Sequence, residues 1–289
     1  MARAGATASR RPRPRGAAET STRPRGKSGG AASAAASRRA RRYAVVYDTT
    51  GPHVRLGLAW FVLAVIAIGI GPLPTAVVYG GAAAIAAAQT ARRWRKRKHR
   101  PDEIIAATMA GLMGAGACFG AGGAGLGILV GVMLAYLRAT GDLRSPNPKL
   151  DDAGWTIQCA LPPGIVTVSM VLLARLDQGS AMALLLLVSA YETGDYLVGS
   201  GARNPCEGPA AGAAAIVVIT FLVSTLPIST LDFGEAWLFG GLVVLLAPLG
   251  QLVASALLPS ARSSASALRR LDSLLLAAPV WCFGIGLLG

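Results

Sequence analysis

The chain has 289 residues, 53% of them hydrophobic and only 15% charged, with a formal net charge of +14. A soluble globular domain carries about 25% charged residues, so these proportions exclude a pair of water-soluble domains and point to one membrane domain. Glycine is abundant, at 36 residues, and small residues let membrane helices approach one another closely.

In chain order, residues 1–50 come first, as a basic tail. Residues 1–45 hold twelve Arg or Lys against one acid, Glu19, so this stretch supplies +11 of the +14. Ala, Gly, Ser, Pro and Arg build no core, and the composition predicts a solvated, disordered cytoplasmic segment. The sharper reading is an electrostatic anchor to anionic lipid headgroups. No aromatic is interleaved before Tyr43, so specific nucleic-acid binding is not expected. The first long apolar run begins near Leu56, too deep for a secretory signal.

Residues 51–289 read as an all-α polytopic transmembrane bundle of eight or nine spans. A spanning helix needs about 20 mostly apolar residues. Candidates fall at 56–72, 74–91, 104–119, 121–138, 157–175, 180–199, 210–228, 236–258 and 272–288. The third and fourth share a Gly-rich boundary, which fits either tightly packed helices or a re-entrant element. Arg92, Arg93, Arg95, Lys96, Arg97, Lys98 and Arg100 follow the second segment. Arg138, Arg144 and Lys149 follow the fourth, Arg203 the sixth, and Arg262, Arg269 and Arg270 precede the ninth. With nine segments all of these lie on the side of the basic tail, and Arg175 is the main exception. The positive-inside rule then places the N-terminus and basic loops in the cytoplasm, with the bundle in the plasma membrane.

Cys118, Cys159, Cys206 and Cys282 form neither a CxxC nor a Cys/His pair, so neither a zinc site nor a disulfide framework is expected. His53 and His99 stand beside basic residues near segment ends and read as interfacial. There is no P-loop, Rossmann glycine fingerprint or HExxH.

Ionisable groups inside membrane segments are costly and mark candidate sites. Two stretches hold them. In Tyr191-Glu192-Thr193-Gly194-Asp195-Tyr196, Glu192 and Asp195 are three apart and share a helix face. Two such carboxylates can hold a hard cation such as Mg²⁺, or be acids at a wet helix end facing Arg203. In Arg269-Arg270-Leu271-Asp272-Ser273-Leu274, an acid at a helix N-terminus is favoured by the dipole alone. The neighbouring arginines can instead clamp a phosphate, or the Asp itself.

Taken together, these stretches resemble the phosphatidate cytidylyltransferase family, multi-helix membrane enzymes that make CDP-diacylglycerol from CTP and phosphatidate. Arg270-Leu271-Asp272-Ser273-Leu274, followed by Leu276-Ala277-Ala278-Pro279-Val280, is similar to the start of that family's last helix. Glu192, Tyr196 and Gly199, then Cys206-Glu207-Gly208, resemble two upstream patterns, with Glu for Asp and Cys for Trp. Gly250-Gln251-Leu252 and Ser255-Ala256-Leu257 resemble a Gly-Asp-Leu and Ser-hydrophobic-Leu run. The resemblance covers about residues 185–289; the N-terminal half agrees only in being hydrophobic.

The resemblance implies transfer of CMP from CTP to phosphatidate in phospholipid biosynthesis, with release of pyrophosphate. It implies catalytic roles for Asp272, Arg270 and Glu207, and substrate contacts for Arg203, Arg269 and Ser273. It implies Mg²⁺ on Asp272, Glu192 and Asp195. The implied partners are CTP, phosphatidate or another anionic lipid, and the bilayer, with a homodimer left open. The chain also departs from the family. Arg269 stands where the final motif begins with Asp, and Gln251 stands where an acid follows Gly250. The Lys-Asp and His-Gly-Gly loop before the last helix is replaced by residues 260–267, and the run before Glu207 is shortened to Arg203-Asn204-Pro205. Two other readings stay open: a non-catalytic lipid-binding or scaffolding protein of the same fold, and a transporter whose pathway is lined by interrupted helices such as the one holding Pro162-Pro163-Gly164.

Overall fold

Long runs of Ala, Leu, Val and Gly leave backbone amides with no polar competitor, and in an apolar solvent a helix satisfies them within one segment. The computed structural model describes residues 53–95, 99–141, 149–202, 204, 206–226, 231–260, 263 and 265–288. The basic tail, Arg203 and Arg262 lie outside the described residues. All described residues belong to one of the chain's two structural units, residues 39–289.

Among the described residues there are ten helices and no strand. They are α1 His53–Ile70, α2 Pro72–Arg95, α3 Glu103–Ala117, α4 Ala121–Gly141 and α5 Lys149–Leu176, then α6 Gln178–Gly199, α7 Glu207–Thr225, α8 Phe233–Leu257, the short α9 Ser266–Arg269, and α10 Leu274–Leu288. The nine longer helices coincide with the nine apolar segments. Five are long and apolar enough to cross a membrane: α4, α6, α7, α8 and residues 150–176 of α5. Apolar stretches in α1, α3 and α10 are shorter; the 15 residues of α3 rise only about 22 Å, against a hydrocarbon core of about 30 Å. Helix α2 ends on Arg92, Arg93 and Arg95.

The Gly-rich stretch that the apolar pattern leaves ambiguous is a tight helical hairpin. Gly120 turns the chain between α3 and α4 at φ +93°, a conformation glycine adopts without strain. Below the turn the two backbones touch. A Cβ on Gly116 would collide with the Gly123 carbonyl, one on Gly123 with the Gly116 carbonyl, and one on Gly127 would stand 2.7 Å from the Leu112 oxygen.

Polar side chains tie the helix ends into two sets. At one end Gln178 of α6 donates to the carbonyls of Ile68 and Gly69 that finish α1. There Arg175 donates to the Cys118 carbonyl at the α3–α4 turn, and Asp177 caps α6 by accepting from the amides of Gly179 and Ser180 at 3.0 Å each. Arg175, the exception in the charge pattern, therefore has a local capping task. At the other end Asp102 caps α3 and pairs with Arg138 at 3.0 Å, while Arg92 pairs with Glu103. Trp94 Nε1 donates to the Leu257 carbonyl at 2.8 Å, and the Ala267 amide donates to Gln89 Oε1 at 3.1 Å. The second set collects Arg92, Arg95, Arg138, Arg269 and Arg270 at the same end of the bundle. Between the ends lies an apolar core in which Tyr79, Met109, Met170, Leu184 and Trp281 are buried.

Candidate functional site

The site is built where α6, α8 and the α9–α10 junction meet at the arginine-rich end. Helix α6 supplies Glu192 and Asp195, and the sequence keeps it against α7 with a glycine: a Cβ on Gly194 would sit 2.8 Å from the Ala211 carbonyl. Helix α8 supplies Gln251 and Ser255, one helical turn apart; the Ser255 hydroxyl donates to the Gln251 carbonyl at 2.9 Å. The chain then passes through α9 and a turn at residues 270–273 before α10 begins. Gly250 makes that turn possible. A side chain there would strike the Asp272 carbonyl, so only glycine lets α8 lie directly against the Asp272 backbone.

Asp195, Gln251, Ser255, Asp272 and Ser273 are all buried. Buried polar groups must find partners, and the partners define the site. Gln251 Nε2 donates to Asp195 Oδ2 at 3.1 Å. Arg269 Nη1 donates to the Ser255 hydroxyl at 3.0 Å and lies 3.7 Å from Asp272 Oδ2. The Ser273 amide donates to Asp272 Oδ1 at 2.8 Å, and its hydroxyl to the same oxygen at 3.3 Å. Half-buried Glu192 lies beside Ser273 and within electrostatic reach of Asp272, Arg270 and Asp195. Six residues singled out in the sequence (Glu192, Asp195, Arg269, Arg270, Asp272 and Ser273) thus fall in one connected cluster.

Glu207 stands elsewhere. It is exposed in the first turn of α7, and its carboxylate accepts from the Asn204 amide at 3.3 Å. The other proposed contact, Arg203, lies outside the described residues. Two participants were not singled out as site residues. Gln251 and Ser255 occupy the apolar run of α8, and a polar pair at i and i+4 in such a run was the available signal.

The donor set does not fit Mg²⁺. A hard cation needs several oxygens turned toward one point. Here an amide N–H points at Asp195, while a guanidinium and a backbone N–H face Asp272. Among the described residues no group of three or more His, Cys, Asp or Glu is placed to hold a metal ion. Two of the positions where the chain departs from the resembled pattern supply the side-chain donors: Gln251 faces Asp195, and Arg269 faces Asp272. One buried oxygen, Gln251 Oε1, accepts no hydrogen bond among the described residues.

An all-helical bundle with five helices fit to cross a membrane, and a buried acid–arginine cluster at its basic end, defines a membrane protein with a polar site at one end of its helices. The chain belongs to the cytidylyltransferase family, whose sequence model matches residues 53–258. Membership makes it a nucleotidyltransferase by kind, of the CTP-using sort. The match includes the N-terminal helices, where the sequence had suggested only shared hydrophobicity, and it ends before the Asp272 motif. No curated protein matches the chain significantly.

Proposed function

We propose that this chain transfers CMP from CTP to phosphatidate, giving CDP-diacylglycerol and pyrophosphate for phospholipid synthesis. The observation that carries this reading is the convergence of Arg269, Arg270, Asp272 and Glu192 at the arginine-rich end of the bundle. In the reaction an oxygen of the phosphatidate phosphate attacks the α-phosphorus of CTP. A new P–O bond forms, the bond from the α-phosphorus to the β-phosphate bridge breaks, and pyrophosphate leaves with its electron pair. Two polyanions must meet, so the site must supply positive charge held in place beforehand. Arg270 serves here, held by its interaction with Glu192. Arg269, fixed between Ser255 and Asp272, supplies a second guanidinium, and Arg203 precedes α7 on the same side by sequence. Asp272 orients Arg269 and draws the Ser273 amide toward it; Ser273 links that turn to Glu192. Glu207, exposed at the start of α7 and bonded to the Asn204 amide, stands apart from this cluster and is given no step in the reaction. CTP is cytoplasmic, so the basic end faces the cytoplasm of a plasma-membrane protein, as the loop charges require.

The test is CTP-dependent formation of CDP-diacylglycerol by the purified full chain in phosphatidate-containing micelles. Wild type should exceed Asp272→Ala by at least about 100-fold, the scale of removing a group that organises transition-state charge. Equal, background-level product from both would end the transferase reading.

A second reading has its own observation. The donors on Asp195 and Asp272 compensate the acids internally, which suits a protein that binds anionic lipid without turning it over. Phosphatidate binding without product would favour this non-catalytic reading.

A further inference from the structure

Helix α9, which carries the site's arginines into place, is a single turn of four residues, Ser266–Arg269. One turn fixes several backbone dihedrals for very few intrahelical hydrogen bonds, so it needs support from outside. Its own sequence supplies little. Ala265 stands at the N-cap and has no side-chain oxygen for the amides of the first turn, a task that Ser, Thr, Asp or Asn would perform. The preceding helix has the complementary need. After α8 the chain turns extended at Leu258, with φ −95° and ψ 150°, and the last carbonyls of a helix have no partner within it.

Helix α2 meets both needs. Gln89 Oε1 accepts from the Ala267 amide at 3.1 Å, and Gln89 Nε2 donates to the Ser266 hydroxyl at 3.4 Å. Trp94 Nε1 donates to the Leu257 carbonyl at 2.8 Å. Trp94 is itself held, buried and packed on Trp155 of α5 with ring centroids 4.3 Å apart. The connection from α8 to α9 is therefore pinned to α2 at both ends. Ala267 carries the hold onward. Its amide goes to Gln89, and its carbonyl accepts from the Arg270 amide at 3.1 Å. Between them Arg269 makes its contacts to Ser255 at 3.0 Å and Asp272 at 3.7 Å. A displacement of about half an ångström is enough to lose such a hydrogen bond.

We propose that Gln89 is a positioning residue for the acid–arginine cluster: through the Ala267 amide it sets the pose in which α9 presents Arg269 and Arg270. It touches no member of the cluster and acts only through α9, as a cap supplied by another helix. Charges that stabilise a transition state work when they are held in place beforehand, and a misplacement of about 1 Å costs up to about 100-fold in rate. The inference deepens the transferase reading and rests on it for the chemistry. The clamp itself rests on the contacts between α2 and α9.

The test compares Gln89→Leu, Gln89→Glu and Thr90→Val with wild type, as purified full chains in detergent. Two readouts are taken: amide hydrogen exchange over residues 265–273 without CTP, and CDP-diacylglycerol formation with phosphatidate and CTP. Gln89→Leu removes the acceptor at similar volume. It should speed exchange at Ala267 by at least about fivefold, because the amide loses its partner, and leave residues 240–250 of α8 unchanged. Its kcat should fall about tenfold, with KM for phosphatidate within about twofold of wild type. Gln89→Glu keeps an oxygen for the Ala267 amide, and the Ser266 hydroxyl can turn to donate to it, so both readouts should return to near wild type. Thr90→Val removes a hydroxyl that donates only within α2, to the Ala86 carbonyl, and should change neither. If Gln89→Leu does not fold, Gln89→Asn withdraws the acceptor by one methylene in a polar side chain and should show the same losses. Wild-type exchange in Gln89→Leu, wild-type kcat beside faster exchange, a loss that Gln89→Glu does not restore, or an equal loss in Thr90→Val would each overturn the proposal. Faster exchange in Gln89→Leu beside a wild type that forms no product would keep the clamp and remove the transferase reading. Turnover in wild type that Gln89→Leu retains in full would do the reverse.

Discussion

The α3–α4 hairpin and the α8–α10 junction use the same device for different ends. Each removes a side chain so that a backbone can come close. In the hairpin, Gly116 and Gly123 bring two apolar backbones together, and no buried acid is drawn in with them. At the junction, Gly250 admits the Asp272 carbonyl, and an acid, two arginines and a serine are drawn in behind it. Close packing in lipid depends on small residues because apolar side chains gain little by leaving apolar solvent. Whether a glycine contact is only structural depends on what the neighbouring backbone carries.

Asp272→Ala should give the largest effect. It leaves the Arg269 guanidinium without its carboxylate in a buried site, where breaking a pair costs about 3–5 kcal/mol. The expected result is a loss of CDP-diacylglycerol formation of at least about 100-fold, with a lowered thermal midpoint in detergent. Wild-type activity in this variant would remove Asp272 from the proposed chemistry.

Gly250→Val and Gly123→Val test the comparison head to head. Both introduce a side chain against backbone, and overpacking costs about 1–3 kcal/mol. Gly250→Val should lose activity at temperatures where it remains folded, because the Asp272 turn must move. Gly123→Val should lose stability in a melting experiment yet keep its activity per folded molecule. If the two behave alike, the junction is no more functional than the hairpin.

Replacing both internal donors, Gln251→Asp with Arg269→Asp, asks whether they are what makes the cluster unfit for a divalent cation. Oxygen ligands then face Asp195 and Asp272 in place of N–H groups, and Mn²⁺ affinity should rise by at least about tenfold as negative oxygens are added. Electron paramagnetic resonance of bound Mn²⁺ measures it directly. An unchanged affinity would show that the backbone frame, not the donors, sets the cluster's preference.

Much of the fold was legible because one property dominates it. Runs of apolar residues in a chain with few charges fix where helices lie, and all nine apolar segments became helices. How many of them cross was less legible, because crossing depends on length: α3 and α10 are apolar but short, and α2 ends in arginine. Glu192, Asp195 and Asp272 announced themselves as acids in apolar surroundings. Their partners did not, because Gln251 meets Asp195 across 56 positions of sequence. Pairings between helices follow from crossing and rotation, which a one-dimensional pattern of hydrophobicity does not encode.

Arg175 offers the smallest effect and a useful contrast with Arg269. Both are arginines near helix ends, and both donate to oxygen. Arg269 is enclosed by Ser255 and Asp272, whereas Arg175 is exposed and donates to a single carbonyl, that of Cys118. A hydrogen bond at an exposed position contributes at most about 1 kcal/mol. Arg175→Gln should therefore shift the melting temperature slightly and leave turnover unchanged. Removing a positive charge from the sparsely basic end should, if anything, reinforce the proposed orientation. Cysteine labelling from either side of the membrane reads that directly: a Cys at residue 176 should react from outside in both proteins. Labelling from the cytoplasm instead would invert the topology and move the arginine-rich end away from CTP. An unchanged label with lost turnover would place Arg175 in the reaction after all, at the opposite end from the cluster.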